Sequence, residues 1–74
     1  MDVSSYTLEP WQQRVLSEKA QLDERIARLG AFFNTDAYGR LGDAECDRLQ
    51  RQHAAMVQYS AILGERIAAF PRQD

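Results

Sequence analysis

Seventy-four residues with a formal charge of −2 form one domain at most, and a chain this short buries roughly 60% of its unfolded surface, which leaves a marginal core. A single cysteine, Cys46, and a single histidine, His53, exclude an intrachain disulfide and a Cys/His zinc site, so association with further copies is the expected support. The acidic balance argues against long nucleic acid, no apolar run reaches the ~18 residues of a membrane span, and no signal-peptide pattern opens the chain.

Residues 1–8 are polar, lack apolar periodicity and read as a flexible arm. Pro10 suits the first position of a helix, where its missing N–H costs nothing, with Glu9 at the cap or Thr7 in that role if the helix starts earlier. Val15, Leu22, Ile26, Leu29 and Phe33 follow Trp11 at helical spacing, with Leu16 and Phe32 beside them, which predicts helix one over 10–33. Gly30 near its end marks either fraying or a close approach, and Glu24 with Arg28 forms an i,i+4 pair on the wet face.

The connection, 34–42, is rich in turn formers: Asn34, Thr35, Asp36, Gly39 and Gly42. Tyr38 and Leu41 interrupt them, so a short helical turn capped by Thr35 is expected to fold back over the end of the hairpin. Helix two is predicted over 43–70. Leu49, Met56, Leu63 and Phe70 repeat at seven, and Cys46, His53, Ser60 and Ile67 form a second, unusually polar heptad line. Asp47 and Arg51 make another i,i+4 pair. Gly64 costs about 1 kcal/mol against alanine inside the helix, and Pro71 ends it.

Two helices of this length joined by so short a connection lie antiparallel. The fold class is therefore all-α: a two-helix antiparallel hairpin, one domain over 1–74, with a short helical turn in the connection. Leu16, Phe32, Tyr59 and Ile62 fall outside the seam and are expected to meet further subunits, giving a homo-oligomer.

No catalytic set stands out. His53 sits on the predicted seam and reads as a packing histidine. Cys46, near a helix start, reads as structural, although a helix end can activate a thiol. No carboxylate pair is marked for acid/base work, and glycine-rich phosphate loops are absent. No cofactor is expected, and the lone thiol suits a soluble, reducing, intracellular setting.

Two features ask for another account. Trp11 stands at a helix start, where its ring cannot reach deep into its own hairpin. It either packs against the arm or a neighbouring subunit, or offers a stacking platform to a planar ligand, an interaction worth about 1–3 kcal/mol per base. The cations are almost all arginine, with Lys19 the single lysine. Arg14, Arg25 and Arg66 either lay their stems along an apolar seam or present forks to phosphate and base edges.

The stretches "WQQRVLSEKAQLDERIARLGAFF" and "RLQRQHAAMVQYSAILGERIAAF" resemble a family of small phage-encoded helical hairpins, the anti-CBASS sponges, whose hairpin is shared by an anti-Thoeris sponge. The resemblance rests on Trp11 to Val15, Glu18, Lys19, Leu22, Asp23 and Arg25, then Gln52, Met56, Tyr59, Ile62, Leu63, Arg66 and Ile67. It implies hairpins assembled as hexamers in the host cytoplasm. Such an assembly binds cyclic di- or trinucleotides, or cyclic ADP-ribose isomers, and silences bacterial immune signalling without cutting the messenger. It also implies ligand contacts from Trp11, as the stacking aromatic, and Arg25, as the basic partner. Gln12 and Arg14 lie beside them, and Arg66 would serve a second, inter-subunit site. Tryptophan replaces the tyrosine or histidine common in the family, and arginine replaces lysine, which bears on which ligand is held. The rival reading is a structural or adaptor hairpin whose surplus apolar face takes a protein partner.

Overall fold

A computed structural model describes residues 8–71. Three helices follow in order: α1 (Pro10–Phe32), α2 (Asp36–Gly39) and α3 (Asp43–Ala68). The described residues form these helices and short irregular connections, without strand. The expected all-α hairpin is what forms. The expected arm lies almost wholly outside the described residues, as does the alternative cap Thr7.

Glu9 is the N-cap of α1, and Pro10 occupies the first helical position. The Glu9 N–H donates to Gln12 Oε1 at 2.8 Å, one half of a capping box. Gln13 Nε2 donates to the Leu8 carbonyl at 2.9 Å and ties the incoming chain to the first turn. α1 ends one residue short of the predicted boundary, with Phe33 as its C-cap. α3 ends at Ala68 rather than at 70, because the turn preceding Pro71 already takes Ala69 out of helical geometry.

α2 is the expected helical turn. Thr35 Oγ1 accepts from the Tyr38 N–H at 3.3 Å and donates to the Phe32 carbonyl at 2.7 Å, closing α1 and opening α2 with one hydroxyl. Tyr38 folds back edge-on to Phe32 and Phe33, with ring centroids at 5.9 and 5.0 Å, and its hydroxyl accepts from Gln50 Nε2 at 2.8 Å. Phe32, expected to await another subunit, is half-buried by this lid.

The core is small. Val15, Leu22 and Leu63 are its buried apolar residues, with Ile26, Met56, Ile67 and Phe70 packed against them. Both heptad lines expected in helix two, Leu49/Met56/Leu63/Phe70 and Cys46/His53/Ser60/Ile67, are half-buried or buried throughout. His53 pairs edge-on with Phe33 at 5.4 Å. It also lies 3.5 Å from where a Cβ on Gly30 would stand, so Gly30 is a place of close approach and not of fraying. On α1 the inward line runs through Gln12, Val15, Lys19 and Leu22, while Trp11 stands to one side of it.

Candidate ligand face

The contacts between the helices fix which flanks share a side. Lys19 and Asp23 of α1 meet Ser60 of α3, and the Lys19 stem passes Gly64, its Cε 3.4 Å from where a Cβ would stand. These residues define one side of the hairpin. At about 100° per residue, Trp11, Arg14 and Arg25 cluster within roughly 60° on the other flank of α1. Tyr59, Ile62 and Arg66 cluster equally tightly on the other flank of α3. The Trp11–Phe70 contact joins α1 and the end of α3 on this second side.

The second side carries the aromatic and cationic groups that the sequence singled out. Trp11 is 43% exposed. It meets Phe70 edge-to-face at 5.3 Å and 80°, a contact that occupies at most one face of the indole. Arg14, Arg25 and Arg66 are exposed and form no ion pair among the described residues. Arg28, Arg48 and Arg51, by contrast, pair with Glu24, Glu45 and Asp47 at 3.6, 2.8 and 2.9 Å. Arg40, at the connection, is likewise exposed and outside these ion pairs. Arg14, Arg25 and Arg66 are the free forks on the second side, and Arg25 and Arg66 are the two that the resemblance would place against a ligand.

Gln12 departs from that group. It is 4% exposed, and its Oε1 holds the Glu9 N–H, so it braces the turn beneath Trp11 from the inner side. Arg66 lies on the second side near the open end of the hairpin, since Gly64 stands level with Lys19 and Phe70 level with Trp11. Arg25 lies fourteen positions from Trp11 on the same helix, about 21 Å along the axis at 1.5 Å per residue. A small cyclic ligand does not bridge that distance within one chain.

The polar cluster on the first side escapes a reading by motif. Lys19 Nζ donates to Asp23 Oδ2 at 2.8 Å and to Ser60 Oγ at 3.1 Å, and the Ser60 hydroxyl donates to Asp23 Oδ1. The hydrogen bond from Lys19, then that from Ser60, holds the Asp23 carboxyl below its ordinary value. Serine, lysine and aspartate within reach of one another suggest a nucleophile and its base. Here the hydroxyl proton points to a carboxylate, the lysine Nζ donates to the same carboxylate, and Ser60 is 8% exposed. The arrangement is a clasp between helices, lacking the free base that activates a serine. The signal that would have found it was a serine on a seam line, which needs a partner once buried.

Cys46, near the start of α3, directs Sγ to the carbonyls of Tyr38 and Leu41 at 3.8 and 3.9 Å, a packing role beneath the connection. Among the described residues no group of His, Cys, Asp and Glu is placed to hold a metal, and no helix is long and apolar enough to cross a membrane.

No curated protein and no solved structure matches the chain. Residues 9–69 match the family model described as Sequestin. The matched span takes in α1, α2 and α3 from end to end, and the chain belongs to the Sequestin family, whose name speaks of sequestration.

Proposed function

We propose that this protein is a phage sponge. It sequesters cyclic nucleotide immune messengers in the host cytoplasm without cleaving them, and so blocks bacterial anti-phage signalling. The messengers are cyclic di- or trinucleotides or cyclic ADP-ribose isomers. The observation that carries the reading is the second side of the hairpin: an indole with a free face, accompanied by Arg14, Arg25 and Arg66 without carboxylate partners. Stacking plus arginine forks is the chemistry that grips a base and a phosphate at once. Membership of a family named for sequestration agrees with it.

The separation of Trp11 from Arg25 makes the site a property of an assembly. Two α1 helices meeting antiparallel bring the indole of one copy beside the guanidinium of another, and a symmetric messenger suits such a pairing. Leu16, Val57, Tyr59 and Ile62 are exposed, while the buried apolar core among the described residues is three residues, which supports a homo-oligomer. Six copies is the number that the resemblance implies.

A thermal-shift screen over cyclic dinucleotides, cyclic trinucleotides and cyclic ADP-ribose isomers tests the proposal. A messenger at 100 times its Kd adds about 2.7 kcal/mol to stability, a shift of roughly 10–20 °C for a chain of this size. A panel with no shift removes the proposal. A shift equal in Trp11→Ala places the ligand elsewhere.

A further inference from the structure

The seam between the helices is ambiguous as an apolar pattern. Val15, Leu22 and Leu29 on α1 repeat at seven, and so do Leu49, Met56, Leu63 and Phe70 along α3 and its end. Sliding one line past the other by a heptad, about 10.5 Å at 1.5 Å per residue, lays apolar on apolar again along the middle of the seam and gives up the contacts at its two ends, Trp11 with Phe70 and Tyr38 with Gln50. The connection anchors one end of the hairpin through Tyr38. The opposite end carries Trp11, Arg14 and Arg66.

The clasp does not repeat. It is the one side-chain to side-chain polar link between α1 and α3 among the described residues. One heptad in either direction, the place of Ser60 goes to His53 or Ile67. Ile67 offers no hydrogen bond, so Lys19 and Asp23 keep each other as an i,i+4 pair but lose the Ser60 hydroxyl that ties them to α3. His53 in that place would leave its contacts with Phe33 and Gly30. The passage for the lysine stem does not repeat either: in the slipped registers Val57 or Pro71 stands where Gly64 leaves room for Lys19 Cε.

We infer that Lys19, Asp23, Ser60 and Gly64 form a register lock, a set of positioning residues that holds Trp11 level with Phe70 and Arg14 near the level of Arg66 on the opposite side of the hairpin. The inference rests on the proposed ligand reading for its effect on binding, but not for its effect on the fold. A polar residue at a seam position is a recognised means of fixing register at some cost in stability. The lock leaves the ligand untouched and acts through the alignment of the groups that meet it.

The test is the combined variant Lys19→Met, Asp23→Leu, Ser60→Ala in the full chain. Replacing a partly buried ion pair by apolar groups is often neutral or stabilising, so helicity and the thermal midpoint are retained or raised. Register is lost. In ligand-free protein the emission of Trp11, the single tryptophan, shifts to the red and becomes heterogeneous as Phe70 leaves it in the slipped fraction. If about a tenth of molecules keep the native register, affinity for the tightest-binding cyclic nucleotide falls about tenfold. Ser60→Ala alone, which spares the Lys19–Asp23 pair, gives smaller changes of the same sign. Unchanged emission and affinity in a helical triple variant overturn the lock. So does a triple variant that fails to fold while Ser60→Ala leaves both readouts where they were. If the wild-type protein binds no cyclic nucleotide, the sponge reading falls, and the Trp11 emission still judges the lock.

Discussion

Leu63→Ala and Ile62→Ala are adjacent truncations whose comparison measures how much of the stability lies between copies. Leu63 is wholly buried, at 0% exposure, in a core it shares with Val15 and Leu22. Removing its branched end costs transfer energy plus a cavity, about 2–5 kcal/mol. A chain of this length has roughly 4–11 kcal/mol in total at 0.05–0.15 kcal/mol per residue, so Leu63→Ala brings the protein near unfolding. Ile62 is 47% exposed in the single hairpin. Half of a side-chain burial worth about 1.5–3 kcal/mol gives only about 1 kcal/mol for its truncation there. If copies cover that face, the cost rises towards the Leu63 value. Urea denaturation at several protein concentrations, with light scattering on the same samples, separates the cases. The account expects Ile62→Ala to lose about 2–4 kcal/mol, to lower the assembled mass and to make the midpoint more dependent on concentration. A loss of about 1 kcal/mol or less, with wild-type protein at the 8.5 kDa of one chain, refutes the assembly argument.

Three further outcomes follow from the same geometry. The depressed Asp23 carboxyl contributes stability that is complete above its unfolded value and is lost as pH falls through its folded one; acid titration of the midpoint should therefore show a decline below about pH 4 that Asp23→Asn flattens, and an unflattened profile contradicts the clasp. Gly64→Ala removes a helix penalty of about 1 kcal/mol and sets a methyl 3.4 Å from the flexible Lys19 Cε, so denaturation should show a gain of up to about 1 kcal/mol, and a loss of that size means the lysine passage is tighter than described. Arg25→Ala should weaken messenger binding in calorimetry by about 1.5–3 kcal/mol, the range for a charge-assisted hydrogen bond, whereas Arg28→Ala, whose fork already meets Glu24 at 3.6 Å, should leave it unchanged; equal losses contradict the division between free and paired arginines.

Much of the fold was legible because the sequence speaks in one period. The seven-residue spacing of Leu49, Met56, Leu63 and Phe70 marks the buried face of α3, and Pro10, Thr35 and Pro71 mark ends through local chemistry that tertiary contacts do not override. The fate of Phe32 was not legible, since only the return of Tyr38 over the end of α1 covers it. Gln12 and Trp11 also exchange the places that hydrophobicity alone assigns: the amide turns inward to hold the cap while the indole stays at the edge. The clasp was hidden for a related reason. Lys19 and Asp23 read as an ordinary exposed pair one turn apart, and only the register of α3 brings Ser60 to them. On the ligand side, residue type suggested arginines; the structure adds which of them lack carboxylates.

The central claim is that Trp11 and unpaired arginines grip a cyclic nucleotide that then remains whole. Titration calorimetry of the assembled protein with each messenger, followed by chromatography of the ligand released on digesting the protein, tests it directly. The account predicts saturable heat with at least one cyclic nucleotide, its abolition in Trp11→Ala, and recovery of the ring intact. Absence of heat across the panel, or recovery of a linear product, contradicts it.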